Sequence, residues 1–541
     1  MTENKYHTII VGGGIAGLTS AAYLSKAGKS VLLLEKNKEC GGLVNSFTHH
    51  GFCFDAGVRA LEDAGIILPM LKELGIKLDM VTSPVSLGIE KEILNIKDLS
   101  SLVEYQNFLI SFFPESREEI VTVLKEIRKI MKDMDILYRI ENPLFKDLKR
   151  DRHFLFTKLL PWLPKFIVTV RKINRMNGPI EDFLKKRISN TALIDMISQH
   201  FFKNTPTFFA LSYFSLYLDY FYPKGGVGKI SEALVNKIKE YGGEIKTETT
   251  IKEVLVEQRL IRDQDHTWYG YDHLIWAADL KTLYRIANME KVKPTINYEK
   301  IKTQILENRG NDSVFSLFLE VNAPLESFKK IAHGHFFYTP SQQGLGETNR
   351  KELMELLTNF EKMEKRQILE WLDKFTKLNT YEISIPGLKD PDMAPPNQTG
   401  VIISFLFEYD LFKKVNEAGW LDEFTQEIEN RMIQVISDSI YPMLKSNIID
   451  QFSFSPLHIE KRVGSSEGAI VGWSFQKSMP VVNKIQISDR SVKTPMPSIY
   501  QAGQWAYSPA GVPMSILTGK LAANQVCNHR HNRINKKGFF S

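Results

Sequence analysis

Three glycines near the N-terminus have the spacing with which a backbone holds a pyrophosphate. Gly12, Gly14 and Gly17 follow a short β-branched run, residues 7–11, and precede a stretch of helix-forming residues. In this pattern the first glycine allows a tight turn, the second lets the backbone approach a phosphate, and the third lets the helix pack closely on the strand. The helix that begins here points its free N–H groups and positive dipole end at the phosphates. The strand before and the helix after favour a dinucleotide site over an ordinary glycine-rich turn.

An acidic residue follows at the spacing expected of a ribose contact. Gly28 ends the predicted helix, and residues 30–34 form an apolar run typical of a buried parallel strand. Glu35 lies at the end of this run, where a carboxylate accepts hydrogen bonds from ribose hydroxyls. Because a carboxylate repels a 2′-phosphate, we expect the site to disfavour NADP.

A second glycine-containing turn lies near the C-terminus. Residues 500–503 are followed by the turn 508–513, which opens a predicted helix over 514–523. Such a turn directs backbone N–H groups at negative charge. Alone, it is equally typical of a surface loop before a last helix, but beside the N-terminal pattern it indicates the other half of one cofactor site.

Composition and length are those of a large globular enzyme. The 541 residues are 43% hydrophobic and 24% charged, with a net charge of +6, which predicts two or three packed modules and little disorder. The three cysteines are too few and too scattered for a disulfide framework or a metal cluster. We therefore expect free thiols, a reducing, cytoplasmic location and no signal peptide, since the first predicted strand starts almost at once. No segment offers about 20 uninterrupted apolar residues for a membrane span.

The dinucleotide signals occur in three separated pieces. We assign residues 1–85, 222–289 and 480–541 to one discontinuous domain. Residues 86–221 form a helical insertion that is apolar and basic, and residues 290–479 form a mixed α/β substrate domain.

Several further motifs resemble the phytoene desaturase family, which includes carotenoid isomerases and retinol saturases and belongs to the amine-oxidase-like flavoproteins. The motifs are Gly41-Gly42, the segment 51–57 with its Asp-x-Gly turn, and the later segments 222–226, 464–473 and 503–513. The resemblance implies FAD as cofactor. It also implies an α/β fold, in which a three-layer (ββα) Rossmann-like FAD-binding domain carries an inserted α+β substrate domain and a helical subdomain that could associate with a membrane.

The resemblance also implies which residues contact FAD. The ADP half would lie on the first glycine turn and Glu35, the adenine on the backbone of Val254, and the flavin ring on the C-terminal turn. The implied contacts are Gly12, Gly14, Ile15, Ala16, Gly17, Glu35, Lys36, Gly41, Gly42, Leu43, Val254, Gly503, Gln504, Gly511, Val512 and Pro513. Leu43 and Gln504 depart from the family pattern, which often has an arginine and an acid there.

No residue is assigned to catalysis from the sequence. Arg59 and Glu62 follow the Asp-x-Gly turn and are candidates for polar groups near the flavin ring, with a structural ion pair as the alternative. His333-Gly334-His335 lacks carboxylate partners in the sequence, so we expect no metal site.

The helical insertion contains a strongly basic stretch. Residues 146–175 hold nine Lys or Arg residues and two Asp residues, interleaved with aromatic residues such as Trp162 and Phe166. This composition suits a helix that lies on an anionic membrane surface, so we expect peripheral contact with the cytoplasmic face of the membrane. The alternative is a solvated basic face over an aromatic core. Nucleic acid is not an expected partner, because no recognition motif is present.

The expected activity is FAD-dependent oxidoreduction at C–C double bonds of a long apolar polyene, by desaturation, saturation or cis–trans isomerisation. The aromatic run over 201–222 would line a tunnel for this lipophilic substrate, although an ordinary core uses the same residues. The alternatives are a fatty-acid double-bond isomerase or hydratase that uses FAD, and a non-catalytic lipid-binding flavoprotein.

Overall fold

The computed structural model describes residues 4–138, 140–146, 148, 150–290, 292, 297–475 and 479–537. Within these ranges the strands are β1 (Asn4–Val11), β2 (Val31–Leu34), β3 (Ser46–His49), β4 (Phe52–Asp55), β5 (Leu61–Glu62), β6 (Met80–Thr82), β7 (Val85–Ile89), β8 (Glu92–Asn95), β9 (Tyr220–Pro223), β10 (Glu244–Lys246), β11 (Ile251–Leu255), β12 (Leu260–Asp263), β13 (Trp268–Trp276), β14 (Ala287–Asn288), β15 (Ser313–Val321), β16 (His335–Thr339), β17 (Tyr381–Ser384), β18 (Thr399–Phe407), β19 (Ile448–Phe454) and β20 (Ile499–Gln501).

The helices in the same ranges are α1 (Ile15–Lys26), α2 (Ile67–Leu74), α3 (Ser101–Phe112), α4 (Arg117–Tyr138), α5 (Arg152–Phe154), α6 (Leu160–Ile173), α7 (Ile180–Lys185), α8 (Thr191–Ser198), α9 (Thr207–Tyr217), α10 (Gly228–Glu240), α11 (Leu280–Ile286), α12 (Tyr298–Glu307), α13 (Leu325–Lys329), α14 (Lys351–Asn359), α15 (Lys365–Leu378), α16 (Tyr409–Glu417), α17 (Leu421–Ser439), α18 (Pro456–Val463) and α19 (Val512–Lys537).

The first sheet is assembled from three distant parts of the chain. β1 lies between β2 and β13, β10 extends the sheet beyond β2, and β20 pairs with the end of β13, all in parallel. The first part of β13 pairs antiparallel with β12, which leads on to β11 and β14. Strands from both termini and from the middle of the chain therefore share one sheet.

Both faces of the parallel part are buried. Ile10 and Leu33 pack in a core with α1, α10 and α19, while the alternate residues Ile9 and Leu32 pack in a second core with β11 and β12. Burial on both faces explains why these strands are continuous apolar runs in the sequence. The helix layer, the parallel layer and the antiparallel layer confirm the expected mixed α/β fold with a Rossmann-like domain.

The second sheet has the order β19-β15-β18-β17-β16-β7-β8. Its neighbours are antiparallel except for β7, which lies parallel to β16. Since β7 and β8 cover residues 85–95, the start of the segment that we predicted as helical belongs to this sheet. One face of the sheet packs in a core with α14, α15 and α17, and the other face is directed at the large cavity described below.

The helical insertion has its own core, which α3, α4, α8 and α9 share with β7. α6 packs beside α4 and follows a π-helical turn over Leu155–Leu159. Among the described residues, no helix is both long enough and apolar enough to pass through a bilayer.

The first and last helices of the Rossmann-like domain pack unusually close together. A Cβ placed on Gly519 of α19 would lie 2.4 Å from the carbonyl oxygen of Ala16 in α1. The Ser20 hydroxyl also donates a hydrogen bond of 2.9 Å to the carbonyl of Gly519. This contact joins the two ends of the chain next to the N-terminal turn of α1.

We predict that Gly519→Ala lowers the melting temperature. Overpacking of this kind costs about 1–3 kcal/mol, because one of the helices must move away. Thermal unfolding of the variant and of Gly178→Ala measures the effect, since a Cβ on Gly178 meets no atom within 4 Å. Equal melting temperatures for the two variants would contradict the close approach.

Candidate active site

A cavity of about 880 Å³ lies between the carboxyl edge of the first sheet and one face of the second sheet. The parallel strands β1, β2, β13 and β20 all end at this cavity, and the residues that follow them line it: Gly12, Glu35, Ala277 and Ala502. In open parallel sheets, ligands bind outside the carboxyl ends of the strands. Both predicted glycine turns therefore open into the same space.

Most of the predicted cofactor residues line this cavity. They are Gly12, Gly14, Ile15, Ala16, Glu35, Lys36, Gly41, Gly42, Leu43, Gly503, Gln504, Gly511 and Val512.

The structure does not bring three other predicted residues to the cavity wall. Gly17 has a packing role, because its Cβ would lie 1.9 Å from the carbonyl oxygen of Gly12. Val254 is fully buried inside β11, and Thr249–Ile251 line the cavity on that side instead. Pro513 lies inside the first turn of α19 and is also absent from the wall.

The two helix N-termini at the cavity fit the negatively charged parts of FAD. Gly14, which precedes α1, provides no side-chain cap, and a Cβ there would meet nothing within 4 Å. No acidic residue lies in the first turn of α1 or of α19. The free N–H groups of both helices are thus open to an anion, as a pyrophosphate and a reduced flavin require.

Glu35 is held rigidly at the end of β2. Its carboxylate accepts hydrogen bonds from the backbone N–H of Gly13 at 2.6 Å and from the backbone and side chain of Asn37 at 2.9 and 2.7 Å. The next residue, Lys36, donates to the carbonyl of Lys461 at 2.9 Å, and burial lowers the pKa of its ammonium group. These contacts fix the predicted ribose acceptor in one orientation.

The two departures from the family pattern have structural partners. The carbonyl of Leu43 accepts a hydrogen bond from the N–H of Val58 at 3.0 Å, which places the Asp-x-Gly turn against the glycine pair. The amide of Gln504 donates to the Ser465 hydroxyl at 3.2 Å. Both residues therefore shape the cavity wall through neighbouring protein groups.

A polar cluster lines the same cavity as the two glycine turns. It consists of Ser316, His335 and Glu382 on the second sheet and Arg59 after β4, and we call these four residues the roof cluster. The guanidinium of Arg59 donates to the Ser316 hydroxyl at 2.9 Å and lies 3.4 Å from the Glu382 carboxylate. His335 Nε2 lies 3.4 Å from the other oxygen of Glu382. All four residues line the cavity. Arg59 therefore forms an ion pair and also lies on the cavity wall.

Several polar atoms of the roof cluster have no hydrogen-bond partner among the described residues. They are the Nε atom of Arg59 and both ring nitrogens of His335. Burial, together with the charges of Lys389 and Arg59, lowers the pKa of His335 well below 6.5, so the ring is neutral at pH 7. Arg59 and His335 both line the cavity, so these atoms lie beside any molecule that fills it.

Ser316, His335 and Glu382 were not predicted from the sequence as cavity residues. Along β16, His335 and Phe337 line the cavity while Phe336 and Tyr338 belong to the core of the second sheet. This two-residue alternation is present in the sequence, but it does not reveal which face of the strand lines the cavity.

The aromatic run divides between the cavity and the core. Its cavity-lining members are Phe201, Phe202, Tyr213 and Tyr220. Tyr217 lines an adjoining apolar space of about 60 Å³, which shares Phe201 and Tyr213 with the main cavity. Tyr222 is fully buried and donates to Asp55 at 2.7 Å. One part of the aromatic run therefore lines the cavity, and another part lies in the core.

Glu62, the other polar candidate, lies outside the cavity wall. Its Oε1 is 3.8 Å from the position of a Cβ on Gly511, and no ion pair to it is present in the described part of the chain. Burial raises the pKa of Glu62 from 4.5 to about 7. The folded protein thus holds this proton more tightly than the unfolded chain does.

We predict that Glu62→Gln raises the melting temperature at pH 8 more than at pH 5. The stability from Glu62 is fully present below its unfolded pKa of 4.5 and is lost as the pH rises through 7, because the folded protein then carries a buried charge. Between pH 5 and pH 8 the wild type should lose at most about 3 kcal/mol of unfolding free energy through Glu62. Melting curves at both pH values, with the exposed Glu240→Gln as control, measure it. A difference that does not grow with pH would contradict the assignment.

Comparisons with known proteins agree with this geometry. The chain is 23% identical to the zebrafish protein named inactive all-trans-retinol 13,14-reductase, over 96% of this chain and 85% of that one. It is 22% identical to the phytoene desaturase of Fusarium fujikuroi, over 97% of this chain and 90% of that one. A solved putrescine oxidase variant superposes with a TM-score of 0.60 at 12% identity, over 97% of this chain and 99% of that one.

The family comparison covers nearly the whole chain. Residues 15–527 match the model described as flavin containing amine oxidoreductase. The matched range contains α1, the second sheet and most of α19, and hence most of the residues that line the cavity. The protein therefore belongs to the flavin-containing amine oxidoreductase family and is an FAD-dependent oxidoreductase.

Proposed function

We propose that this oxidoreductase acts on C–C double bonds of a long apolar polyene of isoprenoid type. The observation that carries the proposal is the cavity itself, in which an aromatic and aliphatic wall faces the two flavin turns. The names of its relatives, a retinol reductase and a phytoene desaturase, support the same substrate class.

The cavity wall has the composition needed to bind a chain without polar groups along its length. Phe201, Phe202 and Phe337 line it together with Val314 and Leu406. The adjoining apolar space extends this wall towards α3 and α9. Enclosure by such side chains excludes water and holds one bond of the substrate in place.

Bound FAD would supply hydride exchange with a substrate carbon. The residues that would hold it are Gly12, Gly14, Glu35, Gly41, Gly42, Gly503, Gly511 and Val512.

Removal of a hydride from one carbon, as in desaturation, requires a proton to leave the adjacent carbon. We assign the acceptance of that proton to a ring nitrogen of His335, because the ring is neutral and its nitrogens have no hydrogen-bond partner among the described residues. Glu382, 3.4 Å from Nε2, would stabilise the protonated ring. In saturation, the same group would return the proton.

A second candidate function is fatty-acid double-bond isomerisation or hydration. It is favoured by one observation: the buried guanidinium of Arg59 lines the cavity, where it could bind a carboxylate. A non-catalytic lipid-binding role would not account for the polar roof cluster on the cavity wall.

Anaerobic turnover of a polyene panel, with the flavin oxidised or pre-reduced, tests the proposal. We expect a product two mass units lighter, two heavier or unchanged, which distinguishes desaturation, saturation and isomerisation. His335→Phe should lower kcat by about 100-fold or more, the usual contribution of a positioned acid–base group, at unchanged flavin content.

The matched control is His333→Phe, because His333 lies two residues away and outside the cavity wall. It should turn over like the wild type. Mass spectrometry of lipids that co-purify provides the opposing result: free fatty acids alone, with no turnover of any polyene, would overturn the proposal.

We also propose peripheral contact with the cytoplasmic membrane face through residues 146–175, of which Asp147 and Lys149 lie outside the described residues. Phe156 is 62% exposed and Val168 is 53% exposed, and Leu160, Leu163 and Ile167 are exposed beside them. Trp162 and Phe154 are buried, so an aromatic core is present as well. Apolar side chains that point outwards between Lys158 and Lys165 suit a bilayer interface better than water.

We predict that a triple variant, Arg152→Gln, Lys158→Gln and Lys165→Gln, binds anionic vesicles more weakly. Each basic residue near such a surface contributes about 1 kcal/mol, so binding should fall by more than about tenfold. Co-sedimentation with phosphatidylserine-containing vesicles at low salt measures this. The exposed triple Lys351→Gln, Arg366→Gln and Lys374→Gln is the control of equal charge change; equal binding by both triples would reject the surface.

A further inference from the structure

Four potential metal ligands converge outside the cavity, at the far end of the hairpin formed by β3 and β4. His49 ends β3, His50 follows it, Glu320 lies on β15 and Asp450 lies on β19. One ligand atom from each of these residues lies within 4.8 Å of all the others. Residues from the first domain and from the second sheet therefore meet at one point.

Among the described residues, neither carboxylate of this group pairs with a lysine or an arginine. Glu320 and Asp450 are direct partners across the antiparallel pair of β15 and β19, so their side chains lie on the same face. Like charges in this position destabilise a sheet. The side chain of Glu320 is only 1% exposed, and no lysine or arginine within the described ranges pairs with it. Its partners among the described residues are the two histidines, His49 and His50.

The separations of the ligand atoms suit a small metal ion. His49 Nδ1 lies 2.7 Å from Glu320 Oε1 and 4.0 Å from Asp450 Oδ2. His50 Nδ1 lies 3.2 Å from Glu320 Oε2 and 3.7 Å from Asp450 Oδ2. Zinc bound tetrahedrally at its usual ligand distances would place neighbouring ligand atoms about 3.3 Å apart, a value that these separations bracket.

We propose that His49, His50, Glu320 and Asp450 bind one divalent transition-metal ion, with zinc as the best match to two imidazoles and two carboxylates. A bound cation would lie between the two facing carboxylates and would be held by them and by the two imidazoles. Four protein ligands leave no open position, so the site is structural. It fastens the β3–β4 hairpin, which carries Asp55 at its other end, to the edge of the second sheet.

Zinc binding to the holoenzyme tests the proposal. Tag-free protein is dialysed against EDTA, returned to chelator-free buffer and titrated with zinc chloride in a calorimeter. We expect one zinc ion per chain, confirmed by elemental analysis after gel filtration, and a melting temperature that rises with zinc concentration.

Two ligand variants keep the test specific. His50 has a positive φ of 46°, so His50→Asn suits the backbone, since Asn tolerates this region. Asp450→Asn keeps the side-chain shape. Each should bind zinc at least about tenfold more weakly, with the flavin absorbance unchanged as evidence of folding.

His153→Asn changes an exposed histidine elsewhere and should bind zinc like the wild type. A wild-type chain that retains no zinc, or ligand variants that bind as tightly as this control, would overturn the proposal. Neither outcome bears on the polyene assay, because these residues lie outside the cavity.

Discussion

One buried carboxylate joins the N-terminal part of the chain to its central part. Asp55 accepts hydrogen bonds from the Tyr222 hydroxyl at 2.7 Å, the Ser46 hydroxyl at 2.7 Å and the backbone N–H of Val227 at 3.0 Å. Burial raises the pKa of Asp55, and the neighbouring Lys389 opposes that shift. Loss of the carboxylate would leave three donors without a partner at the junction of the N-terminal and central pieces of the chain.

The same junction controls the cavity. The Asp-x-Gly turn leads from Asp55 to Arg59, whose backbone carbonyl accepts a hydrogen bond of 2.6 Å from Lys389. Burial lowers the pKa of Lys389 to about 8, while Asp55 favours its charged form. Lys389 therefore links the buried Asp55 carboxylate to the turn that carries Arg59, and so to the roof cluster. The Asp-x-Gly turn and the roof cluster therefore share one connected set of contacts.

Local patterns in the sequence were sufficient for the first half of the site. The glycine turns, Glu35 and the apolar strands follow from short-range geometry, and Gly12, Glu35 and Gly503 line the cavity. The roof cluster could not be predicted, since Ser316, His335 and Glu382 meet only through the register of the second sheet. The position of β7 in that sheet, parallel to β16, was hidden for the same reason.

The position of Val254 shows a further limit of motif resemblance. Pairing with β12 and β14 places Val254 in the core, and the residues that line the cavity lie a few positions earlier, at Thr249–Ile251. The basic insertion posed a similar problem. Trp162 is buried and its neighbour Leu163 is exposed, and only the packing of α6 beside α4 decides this.

The charge balance of the roof cluster bears on which substrate class the cavity favours. Arg59 is compensated by Glu382, and the depressed pKa of His335 keeps that ring neutral, so the cluster carries little net charge. A fatty-acid carboxylate would have to compete with Glu382 for the guanidinium, and a surplus negative charge in a buried cavity is costly. An apolar polyene adds no charge and leaves the Arg59–Glu382 pair intact. The electrostatics of the roof cluster thus support the polyene over the fatty acid, although the same Arg59 first suggested the latter.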